Sequence, residues 1–140
     1  MSTRAYVFEK ITDNNYRGIY VHFDGYPEGV GRTLIDNYKT PEKVSELIDL
    51  GSLSVLGNTI GKKIEFNTYG NNEDDYNQCL AYHRDRGEEL EIRQETNLDV
   101  DKISYWVSYV YVYDHYTKSW YVWSNGDWKY LALELKYSQS

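Results

Sequence analysis

Residues 109–135 decide the fold, and they read YVYVYDHYTKSWYVWSNGDWKYLALEL. Tyr109 to Asp114 alternates tyrosine with valine, and Ser119 to Ser124 alternates tryptophan with tyrosine or valine. Successive side chains of a strand point to opposite faces, so each run predicts a strand. Asn125-Gly126 is a strong hairpin-turn signal, and Asp127 to Leu135 closes the set. We therefore expect a three-stranded antiparallel meander whose alternating positions are half core and half surface.

The first half of the chain predicts two strands and two helices. Ala5 to Lys10 and Tyr16 to Asp24 read as strands, because the Asp and Asn residues between them tolerate tight turns. The turn from Gly25 to Gly31 should lead into one helix. A second helix should begin at Thr40, a plausible N-cap, with Pro41 at the first helical position.

The remaining segments give weaker signals. Lys62 to Phe66 and Gln78 to His83 predict short strands, and 50–57 predicts a tight turn. Arg84 to Leu98 predicts irregular structure. Asp99 is a candidate cap for a short helix carrying Ile103 and Trp106, although the composition there favours a strand equally.

Together these elements predict an α+β fold, in which two short helices pack on an antiparallel sheet with an aromatic-rich C-terminal β-meander. The chain is expected to form a single domain over residues 1–140. Residues 1–95 would form an α+β core, and residues 96–140 an aromatic β-rich subdomain on a shared core.

Composition excludes several classes of protein. The 140 residues are 41% hydrophobic and 26% charged, as in globular domains. No run approaches the roughly 20 apolar residues of a membrane helix, and the N-terminus lacks an apolar signal-peptide core. A single cysteine, Cys79, excludes an internal disulfide and an all-cysteine zinc site. These features predict a soluble intracellular protein with no membrane partner.

Charge points away from nucleic acid. The formal net charge is −7, whereas phosphate contacts need clustered Lys and Arg. The deficit lies between Glu73 and Asp101, where ten acidic residues face three arginines. That stretch is either a solvated surface or an acidic patch that docks a basic partner. Its candidate partner-binding residues are Glu73, Asp74, Asp75, Glu88 and Glu89.

Aromatic residues make up 16% of the chain, and all four tryptophans follow Tyr105. Tryptophan and tyrosine dominate interface hot spots, and they also stack on sugars or bases. The candidate partner-binding residues of the hairpin are Trp120, Tyr121, Trp123 and Trp128. A sugar-binding module is an alternative interpretation, although only one unit of the pattern is present.

A small-ligand site is the other alternative. His22 and Asp24 are predicted on one strand face beside the glycine-rich turn, where they suit proton transfer or metal binding. Tyr26 lies in the turn, and Arg84 and Arg86 could clamp a carboxylate or phosphate. No third metal ligand can be named, so neither a metal nor a cofactor is predicted.

No catalytic motif is present in the sequence. His83-Arg84-Asp85 copies a protein-kinase tripeptide, but the phosphate loop and the metal-binding motif of kinases are missing. Cys79 has no evident activating base and is expected to be buried and structural. His115 is expected in an exposed hairpin loop. We therefore expect no enzyme activity.

Three stretches, 20–31 (YVHFDGYPEGVG), 50–57 (LGSLSVLG) and 81–88 (AYHRDRGE), resemble a family of small bacteriophage and prophage proteins. The resemblance spans most of the chain but transfers no catalytic residue. Small acidic phage accessory proteins are often anti-CRISPR or anti-restriction inhibitors. Some bind a nuclease's basic surface, and others sequester a nucleotide messenger. The resemblance therefore implies a place in the bacterial host cytoplasm.

The leading hypothesis is a non-enzymatic phage or prophage protein that binds and inhibits a host defence protein, such as a nuclease with a basic surface. The acidic stretch would steer association, and the aromatic hairpin would supply contact energy. A nucleotide-binding protein or sponge and a sugar-binding module are the alternatives. The sequence leaves open whether the chain forms a homodimer.

Overall fold

A computed structural model describes residues 2–138 of the chain, with side chains described up to Leu135. Within those residues, one mixed sheet of eight strands runs through the molecule. Its strands are β1 (Ala5–Thr12), β2 (Asn15–Val21), β3 (Leu53–Val55), β4 (Leu80–Ala81), β5 (Arg93–Glu95), β6 (Tyr109–Asp114), β7 (Ser119–Ser124) and β8 (Asp127–Tyr130). The order is β4-β3-β2-β1-β6-β7-β8, and β5 also pairs with β2.

The expected antiparallel sheet is wrong in one respect, because the sheet is mixed. β1 runs parallel to β6, with Ala5 opposite Tyr109 and Lys10 opposite Asp114, and β2 runs parallel to β3. Parallel neighbours need a long connection, whereas strands joined by a tight turn are antiparallel. The β6–β7–β8 meander is antiparallel as predicted, and β1 joins it to the N-terminal half in one sheet.

Five α-helices flank this sheet within the described residues. They are α1 (Arg32–Asn37), α2 (Pro41–Ile48), α3 (Tyr82–Arg86), α4 (Val100–Ile103) and α5 (Leu131–Ser138). The helix α2 begins as predicted, because the Thr40 Oγ1 accepts a hydrogen bond from the Lys43 backbone N–H at 3.2 Å. Its apolar stripe of Val44, Leu47 and Ile48 is buried.

The helix α5 replaces the second half of a predicted strand. Strand structure ends at Tyr130, and the following Leu-Ala-Leu-Glu-Leu run is helical. Leucine, alanine and glutamate are strong helix formers. Leu131 and Leu135, one helical turn apart, are both buried. The meander is therefore closed by a helix rather than by a longer strand.

Other local predictions also need correction. Lys62 to Phe66 is not a strand, and the predicted strand 78–83 is reduced to β4 and an isolated bridge between Thr59 and Gln78 before α3 begins. Conversely, Leu53 to Val55 is a strand rather than part of a turn. The segment between β3 and β4 forms loops and two 3₁₀ turns, Phe66–Thr68 and Glu73–Asn77. Turn hydrogen bonds within its backbone and backbone N–H bonds to the Asp75 and Asp85 carboxylates hold this segment.

Both faces of the sheet are partly covered. The helix face packs α1, α2 and α5 against side chains such as Val7, Ile19 and Tyr111. On the opposite face, Ile103 and Val107 cover Phe8, Val110 and Val112. This second cover is short, so one end of that face stays open.

Candidate functional site

Four aromatic side chains form a ladder on β7 and β8. The register pairs Tyr121 with Tyr130 and Trp123 with Trp128. The rings of Tyr121 and Tyr130 lie 5.0 Å apart between centroids. Period-two alternation sends all four side chains to the sheet face opposite α2. We call Tyr121, Trp123, Trp128 and Tyr130 the aromatic ladder.

Trp120 does not belong to the ladder, which corrects its assignment as a partner-binding residue. It points to the helix face, is only 5% exposed, and its ring packs on Tyr113. The indole Nε1 donates to the Tyr38 carbonyl oxygen at 2.9 Å. The strand alternation was predicted, but the face on which each tryptophan lies was not.

An open groove of about 260 Å³ continues the ladder across the sheet. Tyr121 and Trp128 form one side, and Tyr16, Leu98 and Val112 complete its apolar lining. Lys10 and Asp114 also line it, with Lys10 Nζ 3.9 Å from the Asp114 carboxylate. The sequence analysis did not include Tyr16, Leu98 or Val112, since no local pattern relates β2, β6 and the 96–99 connection.

The segment after α4 exposes two further large rings. Tyr105 is 86% exposed and Trp106 is 66% exposed. The predicted helix carrying both Ile103 and Trp106 is therefore wrong for Trp106, because α4 ends at Ile103. Only Ile103 and Val107 of this segment pack onto the sheet. Exposed aromatic side chains thus occur beside Ile103 and Val107 as well as on the aromatic ladder.

The acidic stretch divides into exposed and structural carboxylates. Glu73, Asp74 and Glu89 are exposed. Asp75 is buried, and its Oδ2 accepts backbone N–H bonds from Gly70 at 3.0 Å and Asn72 at 3.2 Å. Its assignment to a partner surface is therefore corrected: it holds a loop.

Glu88 is also partly engaged. Its carboxylate lies 2.8 Å from Arg86 Nε, although both side chains remain substantially exposed. The five acidic residues named from the sequence are thus not equivalent. Glu73, Asp74 and Glu89 carry no ion pair within the described residues.

His22 lies just beyond the end of β2, and the chain turns at Asp24 before it reaches Tyr26. His22 Nδ1 lies 2.7 Å from the Tyr20 hydroxyl. Asp24 has a positive φ of 60°, which turns the chain out of the strand, and its carboxylate is 3.5 Å from the Tyr26 hydroxyl. His22 and Asp24 therefore do not continue one strand face as predicted. At the same bend the Phe23 side chain is 43% exposed.

The hydrogen-bond donors of Arg84 are all used by other groups of the same chain. Its guanidinium donates to the Ile60, Gly61 and Cys79 carbonyl oxygens and to both oxygens of Asp85. These contacts occupy all five N–H groups of an arginine. A ligand clamp at Arg84 would have to break them.

Arg86 is placed differently. Its guanidinium carbon lies 5.1 Å from the Phe66 ring centroid and 5.8 Å from that of Tyr82. The two rings are themselves stacked, at 5.7 Å and 23°. Cation–π contact of this kind holds a guanidinium without using its hydrogen-bond donors.

Three stretches singled out from the sequence, 20–31, 50–57 and 81–88, meet at β3. Val21 and Ala81 are both Cα partners of Leu53, on opposite sides of this short strand. The His22 N–H donates to the Leu53 carbonyl oxygen and the Tyr82 N–H to that of Ser52. The histidine–aspartate and arginine motifs therefore lie two strands apart, roughly 10 Å across the sheet.

A buried carboxylate, Glu9, forms a centre that the sequence did not predict. Its Oε1 receives Ser45 Oγ and His115 Nε2, each at 2.6 Å. Its Oε2 accepts from Arg17 Nη2 at 2.7 Å, and Arg17 also pairs with Asp49. His115 is thus a half-buried partner of Glu9 and not an exposed loop residue.

The contacts of Arg17 with Glu9 and Asp49 also affect its pKa. Burial lowers the pKa of Arg17, but the hydrogen bonds and charges of Glu9 and Asp49 outweigh it, so the net pKa is raised. Ser45 and His115 each contact the Glu9 carboxylate. Within the described residues no hydrogen bond joins the Ser45 hydroxyl to the His115 ring, as a nucleophile and its general base would require. The arrangement is that of an ion-pair centre between β1, β2, α2 and the β6–β7 turn.

Cys79 is buried, as the sequence predicted. Burial raises the pKa of its thiol, although hydrogen bonds from the Gly57 N–H and Tyr38 and the charge of Arg84 oppose the shift. The Gly57 N–H lies 3.3 Å from Sγ. A thiol in this setting is a poor nucleophile, since thiolate formation is disfavoured.

Residues 2–138 contain no cluster of three or more His, Cys, Asp or Glu placed to hold a metal ion. None of the helices in that part of the chain has the length and apolar character needed to cross a bilayer. No protein family model, no curated protein and no solved structure matches this chain.

Proposed function

We propose that this chain is a non-enzymatic protein that binds and inhibits another protein through its aromatic ladder. The observation that carries the proposal is the ladder on the open end of the sheet, continued by an apolar groove. Trp128 and Tyr130 are 41% and 52% exposed. Monomeric proteins rarely leave large apolar patches uncovered unless they bind something.

A protein partner suits this surface better than a small ligand. The groove is shallow and open, whereas small-molecule sites usually enclose most of their ligand. Tyr105 and Trp106 add exposed aromatic surface on the same half of the chain. Tryptophan and tyrosine supply most of the binding energy at many protein interfaces.

Charge supports a basic partner. The chain carries a formal charge of −7, and the exposed Glu73, Asp74 and Glu89 would accelerate association with a positive surface. This fits a phage or prophage accessory protein that occupies a host defence protein, such as a nuclease with a basic surface, in the bacterial cytoplasm. The resemblance of the three stretches gives the biological context of the proposal.

A small-ligand function is the second candidate, supported by the meeting of the three stretches at β3. His22, Asp24 and Tyr26 would form one side of such a site and Arg86 the other. A sugar-binding module is a third reading of the same aromatic ladder, since rings that bind proteins also stack on sugars.

The proposal is tested by capture from bacterial lysate with the tagged chain, followed by native mass spectrometry. Trp123→Ala and Trp128→Ala should each lose a stoichiometric protein partner while staying folded. Tyr76→Ala is the matched control, because Tyr76 is 63% exposed but lies in the Glu73–Asn77 turn. Equal capture by all variants would overturn the role of the ladder.

Two further measurements separate the alternatives. A glycan array that binds the parent chain but not Trp128→Ala would favour the sugar-binding module. A thermal shift with a nucleotide panel would favour the sponge, because a ligand at 100 times its Kd adds about 2.7 kcal/mol of stability.

A further inference from the structure

A second, cationic groove lies on the other side of the molecule, between residues 63–67 and residues 83–87. It has a volume of about 550 Å³. Its lining carries three basic side chains, Lys63, Arg84 and Arg86, against two acidic ones, Glu65 and Asp85. A basic groove is unusual in so acidic a chain, and none of these residues lines the groove beside the aromatic ladder.

Asp85 joins the two sides of this groove. The Asp85 carboxylate accepts the Ile64 N–H at 3.0 Å and the Ala81 N–H at 2.8 Å. It therefore ties the loop on one side to β4 and α3 on the other. The positive charge of Arg84 neutralises this buried carboxylate. One ion pair, Arg84 with Asp85, therefore holds both sides of the groove. The site is preorganised before any ligand arrives.

Two cationic side chains of the groove, Lys63 and Arg86, lie outside the Arg84–Asp85 pair. Lys63 has no ion pair within the described residues. Arg86 is held against Phe66 and Tyr82, and Glu88 contacts it through Nε. Its two terminal nitrogens have no hydrogen-bond partner in the described part of the chain. Those donors have the geometry that recognises phosphate oxygens.

His83 also lines this groove. Its Nδ1 lies 2.7 Å from the Glu88 carbonyl oxygen. Because a carbonyl oxygen only accepts hydrogen bonds, Nδ1 carries the hydrogen of this bond. The contact holds the His83 ring against the chain that follows α3.

We propose that this groove binds a phosphate-bearing small molecule through Lys63 and Arg86. The proposal does not depend on the protein partner of the aromatic ladder. It replaces Arg84 by Lys63 among the anion-binding groups of the small-ligand candidate and keeps Arg86. A nucleic-acid strand is disfavoured as the source of the phosphate, since the whole chain repels a polyanion.

Isothermal titration calorimetry with pyrophosphate and with ATP tests the proposal. Lys63→Gln and Arg86→Gln should each weaken pyrophosphate binding roughly tenfold, the loss typical of one charge-assisted hydrogen bond. Lys62→Gln is the matched control: it removes the same charge one residue away, outside the groove lining, and should change affinity less than about twofold.

Tighter binding of ATP than of pyrophosphate would assign a nucleotide as the source of the phosphate, and equal affinity for the two would assign a free phosphate compound. Absence of heat with both probes, in a protein that circular dichroism shows to be folded, would overturn the site. Equal losses in Lys62→Gln and Lys63→Gln would also overturn it, because the attraction would then be unspecific. None of these outcomes bears on Trp128 capture.

Discussion

His115 places its Nε2 2.6 Å from the Oε1 of Glu9, across 106 positions of sequence, although Glu9 has no exposed surface. Ser45 and Arg17 complete the partners of the same carboxylate. Four parts of the chain thus depend on one buried charge. Removing one partner of a buried ion pair is far more costly than removing a surface charge.

Glu9→Gln should therefore lower the free energy of unfolding by roughly 3 kcal/mol, because Arg17 and His115 lose the charge they face. Urea unfolding followed by circular dichroism measures the change. Glu46→Gln is the control, since the ion pair of Glu46 with Lys43, at 3.9 Å, is exposed, and the change should alter stability by less than about 1 kcal/mol. Similar losses in both variants would contradict a special role for Glu9.

Stability should fall in alkaline solution. Burial raises the pKa of Cys79, so the folded chain holds the thiol proton more tightly than the unfolded chain. The resulting stabilisation is complete below the ordinary thiol pKa of 9.0 and is lost as the pH rises towards the folded value. Tyr38 and Tyr111, whose pKa values burial also raises, extend the loss above pH 10.

Urea unfolding at several values between about pH 8 and 10 checks this expectation. The parent chain should lose up to about 1.4 kcal/mol per pH unit from the thiol, and Cys79→Ala should show a flatter profile over the same range. Identical slopes for the two proteins would mean that Cys79 titrates alike in the folded and unfolded chains. Absolute stability is not the readout, since the substitution also leaves a cavity.

Asp85→Asn should loosen the cationic groove. An amide cannot accept all four hydrogen bonds that the carboxylate receives from Ile64, Ala81 and Arg84, so the variant should lose about 2–4 kcal/mol. Hydrogen exchange at the Ile64 and Ala81 amides should accelerate more than exchange in β6. Glu65→Gln, at an exposed wall residue, should leave both rates unchanged. Uniform acceleration throughout the sheet would instead indicate general destabilisation.

The two faces of the hairpin should respond differently to the same substitution. Trp120→Phe removes a buried indole and its bond to the Tyr38 carbonyl oxygen, so a loss of about 2 kcal/mol is expected. Trp128→Phe, on the half-exposed face, should stay within about 0.5 kcal/mol of the parent. Thermal and urea unfolding measure both. The reverse order would show that the face assignment of β7 and β8 is wrong.

Local signals predicted the elements that depend on near neighbours. Thr40 and Pro41 identified the start of α2, because a helix cap is completed within a few residues. Asn125-Gly126 and the Tyr/Val and Trp/Tyr alternation identified the β6–β7–β8 meander for the same reason. The α+β class followed from these elements.

The sequence alone therefore determined the hairpin, the capped helix and the division of β7 into two faces. Only the tertiary structure decided that β1 runs parallel to β6, that Trp120 is core while Trp128 is exposed, and that Glu9 meets His115. The tertiary structure also brings the Ile64 N–H to the Asp85 carboxylate and places Lys63, His83 and Arg86 on one groove. Each of these depends on contacts between residues far apart in the chain. An alternating pattern states that two faces differ, but only the packing of α2 and α5 against one of them determines which is buried.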